Sequence, residues 1–340
     1  MNWKLVLPFL LLCGTAAPAI AAPPEAARKQ FLEALDLVHA YTGAGDEMRR
    51  AMTMAEDLAQ AQPDSGYSQA LQAEALSTWQ LNQRGQPEEL RNHVIQLADE
   101  ALRLNPKLAL GHVAKGRAYV RASMLDEARA EVDAALKLDP KFSGAIFLRA
   151  EVYRRSGNLE MGDAWYRKFI ASTSSQARKS NGYYWIGKMY DDAAWDNKAD
   201  APKLIPKARA AYQQGVDVNP DSAWGNVNFA IFLNEQGDFD AAEKYALKAL
   251  AISEFPMARY HLAAARFQRV WSTKEGKERG VLQKAVDDVA ESSGVSLDGA
   301  MSFSFSSSIM WRLNDLREDL QDPPEAGIEF PRPVGTAPGS

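Results

Sequence analysis

The apolar runs of this chain keep closing in the same way. EALRLNP ends at Pro106, AALKLDP at Pro140 and GVDVNP at Pro220. Proline lacks an N–H and disfavours helix in the residue before it, so Asn-Pro or Asp-Pro reads as the end of a helix and a turn of the chain. Pro106 and Pro140 are 34 residues apart, and a fixed period of that length marks a stacked helical-hairpin repeat. Counting Ala109 as position one, Gly116 and Tyr119 fall at positions eight and eleven, Ala128 at twenty, Ala135 at twenty-seven and Pro140 at thirty-two. Small residues at eight and twenty let two antiparallel helices approach closely. Ala135 does the same against the next hairpin, and the aromatic ring fills the space between.

These positions resemble the tetratricopeptide repeat (TPR) family. In YYWIGKMY, Tyr183, Ile186, Gly187 and Tyr190 match the family's W-x2-L-G-x2-Y core, with Tyr for Trp and Ile for Leu. In GDFDAAEKYALKAL, Gly237 occupies the turn between helices and Ala242, Ala246 and Ala249 the close-packing positions. Extending the spacing predicts an all-α solenoid with hairpins at 32–65, 66–108, 109–142, 143–176, 180–222, 223–256 and 257–299. The first is atypical, with His39 at its small-residue position and only Ala51 and Ala55 keeping the pattern, as terminal repeats often are.

Three hairpins, at 66–108, 180–222 and 257–299, are each nine residues longer than the period, and Ala177-Arg178-Lys179 is left over as a short linker. Nine residues amount to about two and a half helical turns, enough to lengthen both helices and leave a loop. Each enlargement carries a tryptophan at nearly the same point, Trp79, Trp195 and Trp271. These rings would either anchor the extensions against neighbouring hairpins or form a partner-binding edge, since solenoid insertions gather on one face.

The two ends read differently from the repeats. Residues 1–21 combine Lys4, the apolar run Leu5–Leu12 and a small-residue stretch closing on Ala19-Ile20-Ala21, the pattern of a secretory signal peptide with cleavage before Ala22. The apolar core is shorter than the roughly 20 residues a spanning helix needs, so a periplasmic or secreted protein without stable membrane insertion is expected. Leu12, bulky and directly before the lone Cys13, argues against lipid attachment there, and the mature chain would hold no cysteine. Residues 22–31 read as a lead-in. After the hairpins, Ile309, Leu313, Leu316 and Leu320 recur at helical spacing behind SFSFSSS, predicting a capping helix within 300–320 that would cover the last repeat. The tail from Gln321 holds five prolines and three glycines, which predicts an extended or disordered segment at 321–340.

The charge of −5, from 39 basic and 44 acidic residues spread along the chain, offers no basic stripe for nucleic acid. Catalytic signatures are missing: there is no G-x-G-x-x-G, phosphate loop or H-E-x-x-H, and the GVSLDG spacing does not suit a nucleophile elbow. The histidines His39, His93, His112 and His261 are far apart, with His112 at a packing position. DDAAWDNKAD lacks the glycine and the terminal glutamate of a calcium loop and reads as a solvated loop. No enzyme, metal or cofactor is therefore expected.

The family resemblance implies where a partner would sit. First helices of TPR hairpins line a concave surface, and the matching positions here include Arg117, Phe147, Arg154, Tyr184, Trp185, Lys188, Trp224, Asn228 and His261. Aromatics interleaved with Arg and Lys suit a peptide bearing apolar and acidic side chains. The family's carboxylate clamp is not reproduced, because Ala258 and Leu262 stand where basic residues are needed. The expected function is a scaffold or adaptor for a protein or peptide segment. The alternative is a polysaccharide- or solute-binding module whose aromatics stack on sugar rings.

Overall fold

The computed structural model describes residues 25–40, 47–80, 88–253 and 256–271. The expected signal peptide with Cys13, the capping helix, the tail and the second half of the seventh hairpin lie outside them. Among the described residues the secondary structure is α-helical, apart from a one-turn 3-10 segment at Pro63–Ser65. The fold is all-α, a succession of TPR-like helical hairpins in two compact units.

One unit comprises α1 (Glu25–Ala40), α2 (Glu47–Ala61), α3 (Tyr67–Gln80), α4 (Glu88–Leu104) and α5 (Ala109–Arg121), with Ala130–Pro140, which takes in the second part of α6 (Leu125–Leu138). Residues 25–31, expected as a lead-in, are helical and begin α1. Neighbouring helices pair in sequence, and the first helices of successive hairpins, α1, α3 and α5, also touch. Small side chains set the spacing, with Ala73, Ala98, Ala114 and Ala118 packed around Val94 and Leu97. Gly66 adopts a φ of 74° where its missing Cβ would stand 2.6 Å from the Ala101 carbonyl oxygen, so only glycine fits this turn.

The other unit holds Ser123–Arg129 and the chain from Lys141. It contains α7 (Ser143–Arg155), α8 (Leu159–Ala171), α9 (Gln176–Asp196), α10 (Ala201–Val218), α11 (Ala223–Glu235), α12 (Phe239–Ile252) and α13 (Pro256–Trp271). Side-chain caps start several of them: Asn158 accepts from the Met161 N–H, Ser175 from Arg178, Ser222 from Gly225 and Asp238 from Ala241. Asn219-Pro220 ends α10, as the sequence pattern predicts. The core is aromatic, with Tyr166, Tyr212, Phe229, Phe232 and Tyr245 buried among Ile186, Met189 and Leu233.

Two expectations are corrected here. Ala177-Arg178-Lys179 is the first turn of α9 rather than a linker, because Ser175 caps the helix just upstream. The stretch DDAAWDNKAD is not a loop throughout: its first six residues complete α9, leaving Asn197–Asp200 as the turn into α10. The extra residues of this hairpin have gone into its helices, 21 and 18 residues long against 13 in α7, α8 and α11.

Candidate functional site

Helices α7, α9 and α11 present residues at helical spacing along one face each: Phe147, Glu151 and Arg154; Tyr184, Lys188, Asp191 and Asp192; Trp224, Asn228 and Glu235. Their aromatic members meet across the helices. Phe147 lies edge-on to Trp185 at 6.4 Å, Trp185 edge-on to Tyr184 at 5.1 Å, and Tyr184 at 6.4 Å from Trp224. Each of these rings is half-buried; Phe147 packs against Tyr166 and Phe169, and Tyr184 against Tyr212.

A charged band runs beside the rings. Arg154 donates two hydrogen bonds to Glu151, at 3.1 and 2.9 Å, and its guanidinium stands 5.0 Å from the Trp185 ring centre. Asp192 lies 3.9 Å from Arg154 and accepts from Lys188. Glu151 also accepts from the Tyr166 hydroxyl. Burial alone would lower the Arg154 pKa, but the Glu151 carboxylate outweighs it and holds the guanidinium firmly protonated.

Further along the same faces the balance changes sign. Burial pushes Asp191 up to about 6, with Lys188 opposing and Asp192 adding to the rise. Glu235 is raised to about 7 by desolvation and by the charge of Asp191, although its side chain keeps contact with solvent that screens part of the effect. The Tyr184 phenol is pushed up to about 12, first by burial and then by Asp192.

The residues named from the sequence do not all share this surface. Phe147, Arg154, Tyr184, Trp185 and Lys188 come together, and Trp224 adjoins them through Tyr184. Asn228 is buried and donates to the Trp224 carbonyl at 2.7 Å. The His261 carbonyl accepts from buried Asn234, and burial pushes the His261 imidazole down to about 4.

Arg117 belongs to the other unit, and its side chain does not point to water as the groove positions imply. It is 13% exposed and donates at 2.7 Å to Glu74, whose side chain is fully buried. His39 Nε2 reaches the same carboxylate oxygen at 3.0 Å. Burial would raise the Glu74 pKa, but Arg117, His39 and Arg121 together hold it at about 2. This junction of α1, α3 and α5 went unread because one glutamate in a helix gives no periodic signal; its place between Ala73 and Ala75 in a helical stretch is the available hint. Arg154 is likewise only 13% exposed, while Lys188 is 39% exposed.

Trp195 does not anchor the extended hairpin. It is 62% exposed near the end of α9, with the Lys198 ammonium 3.9 Å from its ring centre. It borders an open depression of about 300 Å³ that Leu159, Met189, Arg154 and Asp192 also line. The side chains of Trp79 and Trp271 lie outside the described ones. Among the described residues no three His, Cys, Asp or Glu side chains group as metal ligands would, and no helix is long and apolar enough to cross a membrane.

No protein-family model matches the chain, and no curated protein matches it in sequence. Solved structures do match in fold. Human IFIT1, solved as a dimer with m7Gppp-AAAA, is 16% identical over 86% of this chain and 69% of that one, with a TM-score of 0.55. Cut9-Hcn1 of the APC/C is 11% identical, covering 87% of this chain and 55% of that one, at 0.50. A thermophilic TPR protein from Thermus thermophilus is 15% identical over 61% of this chain and 98% of its own length, at 0.46. At these identities the likeness is one of fold.

Proposed function

We propose that this protein is an exported scaffold that holds a protein or peptide segment against the α7–α9–α11 face, and that it performs no catalysis of its own. The observation that supports this most directly is the run Phe147, Trp185, Tyr184 and Trp224, joined ring to ring across three successive first helices and partly exposed to solvent at every member. Large amphipathic rings on a rigid helical platform are the residues that dominate polypeptide interfaces. The signal-like pattern of residues 1–21 is what supports export.

The IFIT1 structure carries m7Gppp-AAAA, but this face is poorly suited to phosphates. Arg154 and Lys188 are already engaged by carboxylates, and a phosphate would have to displace those partners beside further acids.

Affinity isolation of the full chain from its native compartment tests the reading, with Trp185→Ala and Trp224→Ala run alongside. Polypeptide should be recovered with the parent protein, and each substitution should weaken association by about 2 kcal/mol or more while thermal melts remain single and near the parent value. Recovery of glycan without protein, or undiminished capture by both variants, would overturn it.

A further inference from the structure

Resting on that docking surface, we propose that the segment it holds is cationic, a peptide carrying Lys or Arg among apolar side chains, where the sequence pattern alone points to an acidic one. The difference lies in which charges are already engaged. Both cations of the face are: Arg154 makes a two-pronged pair with Glu151 and lies over Trp185, and Lys188 is held by Asp192. Asp191 on α9 and Glu235 on α11 have neither an ion pair nor a hydrogen bond among the described residues. The charge of Asp191 acts on Glu235 across the two helices, and Asp192 adds to the same field.

The band therefore carries four carboxylates, Glu151, Asp191, Asp192 and Glu235, against two cations, Arg154 and Lys188. Lys198, which also acts on Asp191, is drawn over the exposed Trp195 ring beyond the helix end. An anionic side chain arriving here would meet occupied guanidinium and ammonium groups and two unpaired acids. A cationic side chain would meet those acids and the faces of Tyr184, Trp185 and Trp224, which attract cations through their ring quadrupoles.

The place of Tyr184 points the same way. Tyr184 stands two helical turns before Asp191 and Asp192 on the same stretch of α9, and its hydroxyl has no hydrogen-bond partner among the described residues. A desolvated phenol held neutral beside carboxylates can accept from an ammonium or guanidinium, and it offers a carboxylate only one O–H. Charge complementarity of this kind sets which partners are admitted and how quickly they arrive, more than the final affinity.

Titration calorimetry on the full chain separates the possibilities. The probes are three short peptides of repeated Leu-Lys-Ser, Leu-Glu-Ser and Leu-Gln-Ser. The lysine peptide should bind about tenfold more tightly than the glutamate twin at low salt, and the gap should narrow as salt is raised. Asp191→Asn with Glu235→Gln should remove most of the lysine preference and leave the glutamine peptide unchanged. Equal or tighter binding of the glutamate twin, or a double variant that keeps the full preference, overturns the cationic assignment and leaves peptide docking standing. Failure of all three peptides to bind overturns docking at this face, and the assignment with it.

Discussion

Adding a single methyl group to Gly187 tests whether the close approach of α9 and α10 is as tight as the packing indicates. A Cβ at Gly187 would stand 2.9 Å from three atoms of the Tyr212 ring, whereas carbon atoms settle at about 3.5–4.0 Å. The ring has nowhere to retreat, being enclosed by Phe232 at 5.0 Å, Tyr184 at 6.0 Å and Phe229 at 6.2 Å. Overpacking of this kind costs about 1–3 kcal/mol, and replacing an interior helical glycine by alanine returns about 1 kcal/mol. Gly187→Ala should therefore destabilise by about 1 kcal/mol, with about 2 as the upper end.

Gly162→Ala is the matched control. Its Cβ would meet the Met189 sulfur at 2.6 Å, with no other atom nearer than 3.6 Å. Met189 borders an open depression and has flexible torsions with which to move aside. That substitution should be neutral or stabilising by up to about 1 kcal/mol. Urea unfolding followed by circular dichroism and tryptophan fluorescence gives both midpoints, two probes being needed because repeat arrays can unfold in parts. A Gly187→Ala midpoint equal to or above that of Gly162→Ala would refute the packing argument.

Two further predictions concern acids with opposite signs. Glu74, held at about 2 against an ordinary 4.5, contributes stability that is complete above its unfolded pKa and is lost as the pH falls toward 2. Glu74→Gln should cost about 3 kcal/mol or more near neutrality, since it strands Arg117 in a buried site, and urea midpoints measured down the pH scale should converge with the parent's near pH 2. Asp191 runs the other way: raised to about 6, its ionisation is harder in the folded state, so stability declines as the pH rises from the ordinary 3.8 through 6. Asp191→Asn should melt above the parent at pH 8 and together with it near pH 3.5, and parallel melting at both pH values would exclude a perturbed carboxyl.

The hairpins were legible because their signals are local and repeated. A proline that ends a helix acts on its immediate neighbours, and small residues at a fixed interval show which helix faces must touch. Gly187 and Ala242 could be placed at interfaces on those grounds, and both are buried. Local signals also explain the two boundary errors. Ala177-Arg178-Lys179 was surplus to the period, but Ser175 lies upstream and starts the helix sooner. The acidic stretch after Tyr190 reads as a solvated loop once it fails the calcium-loop pattern, yet nine added residues in a hairpin are most readily absorbed by extending two helices that already satisfy their own backbone bonds. The aromatic side of the site was readable for the same reason, since a ring at an inward position of one first helix meets rings on the next. Its electrostatics were not, because an arginine's partner depends on which carboxylate a different hairpin brings within reach.

Arg117 is the sharpest instance of that dependence. Its position in the repeat marks it as a surface cation, and on that basis Arg117→Glu is a charge reversal that spares the fold. The structure gives the substitution a different meaning. Glu74 is completely buried, and Arg117, His39 and Arg121 are what keep its charge tolerable there. Reversing Arg117 would set two carboxylates together out of water, and one of them would have to take a proton or the helices α1, α3 and α5 would have to part. Arg117→Glu should therefore lower the stability of its unit sharply near neutrality, with the deficit easing in acid as one carboxyl protonates. Lys188→Glu should not behave this way, because Lys188 is 39% exposed and its loss leaves Asp192 close to solvent. Melts of the two variants at pH 4 and pH 8 decide the matter: a stable, pH-insensitive Arg117→Glu protein would show that Arg117 is not bonded to Glu74. A large pH-dependent loss would show that any change in binding by this variant reports on the fold and carries no information about a partner.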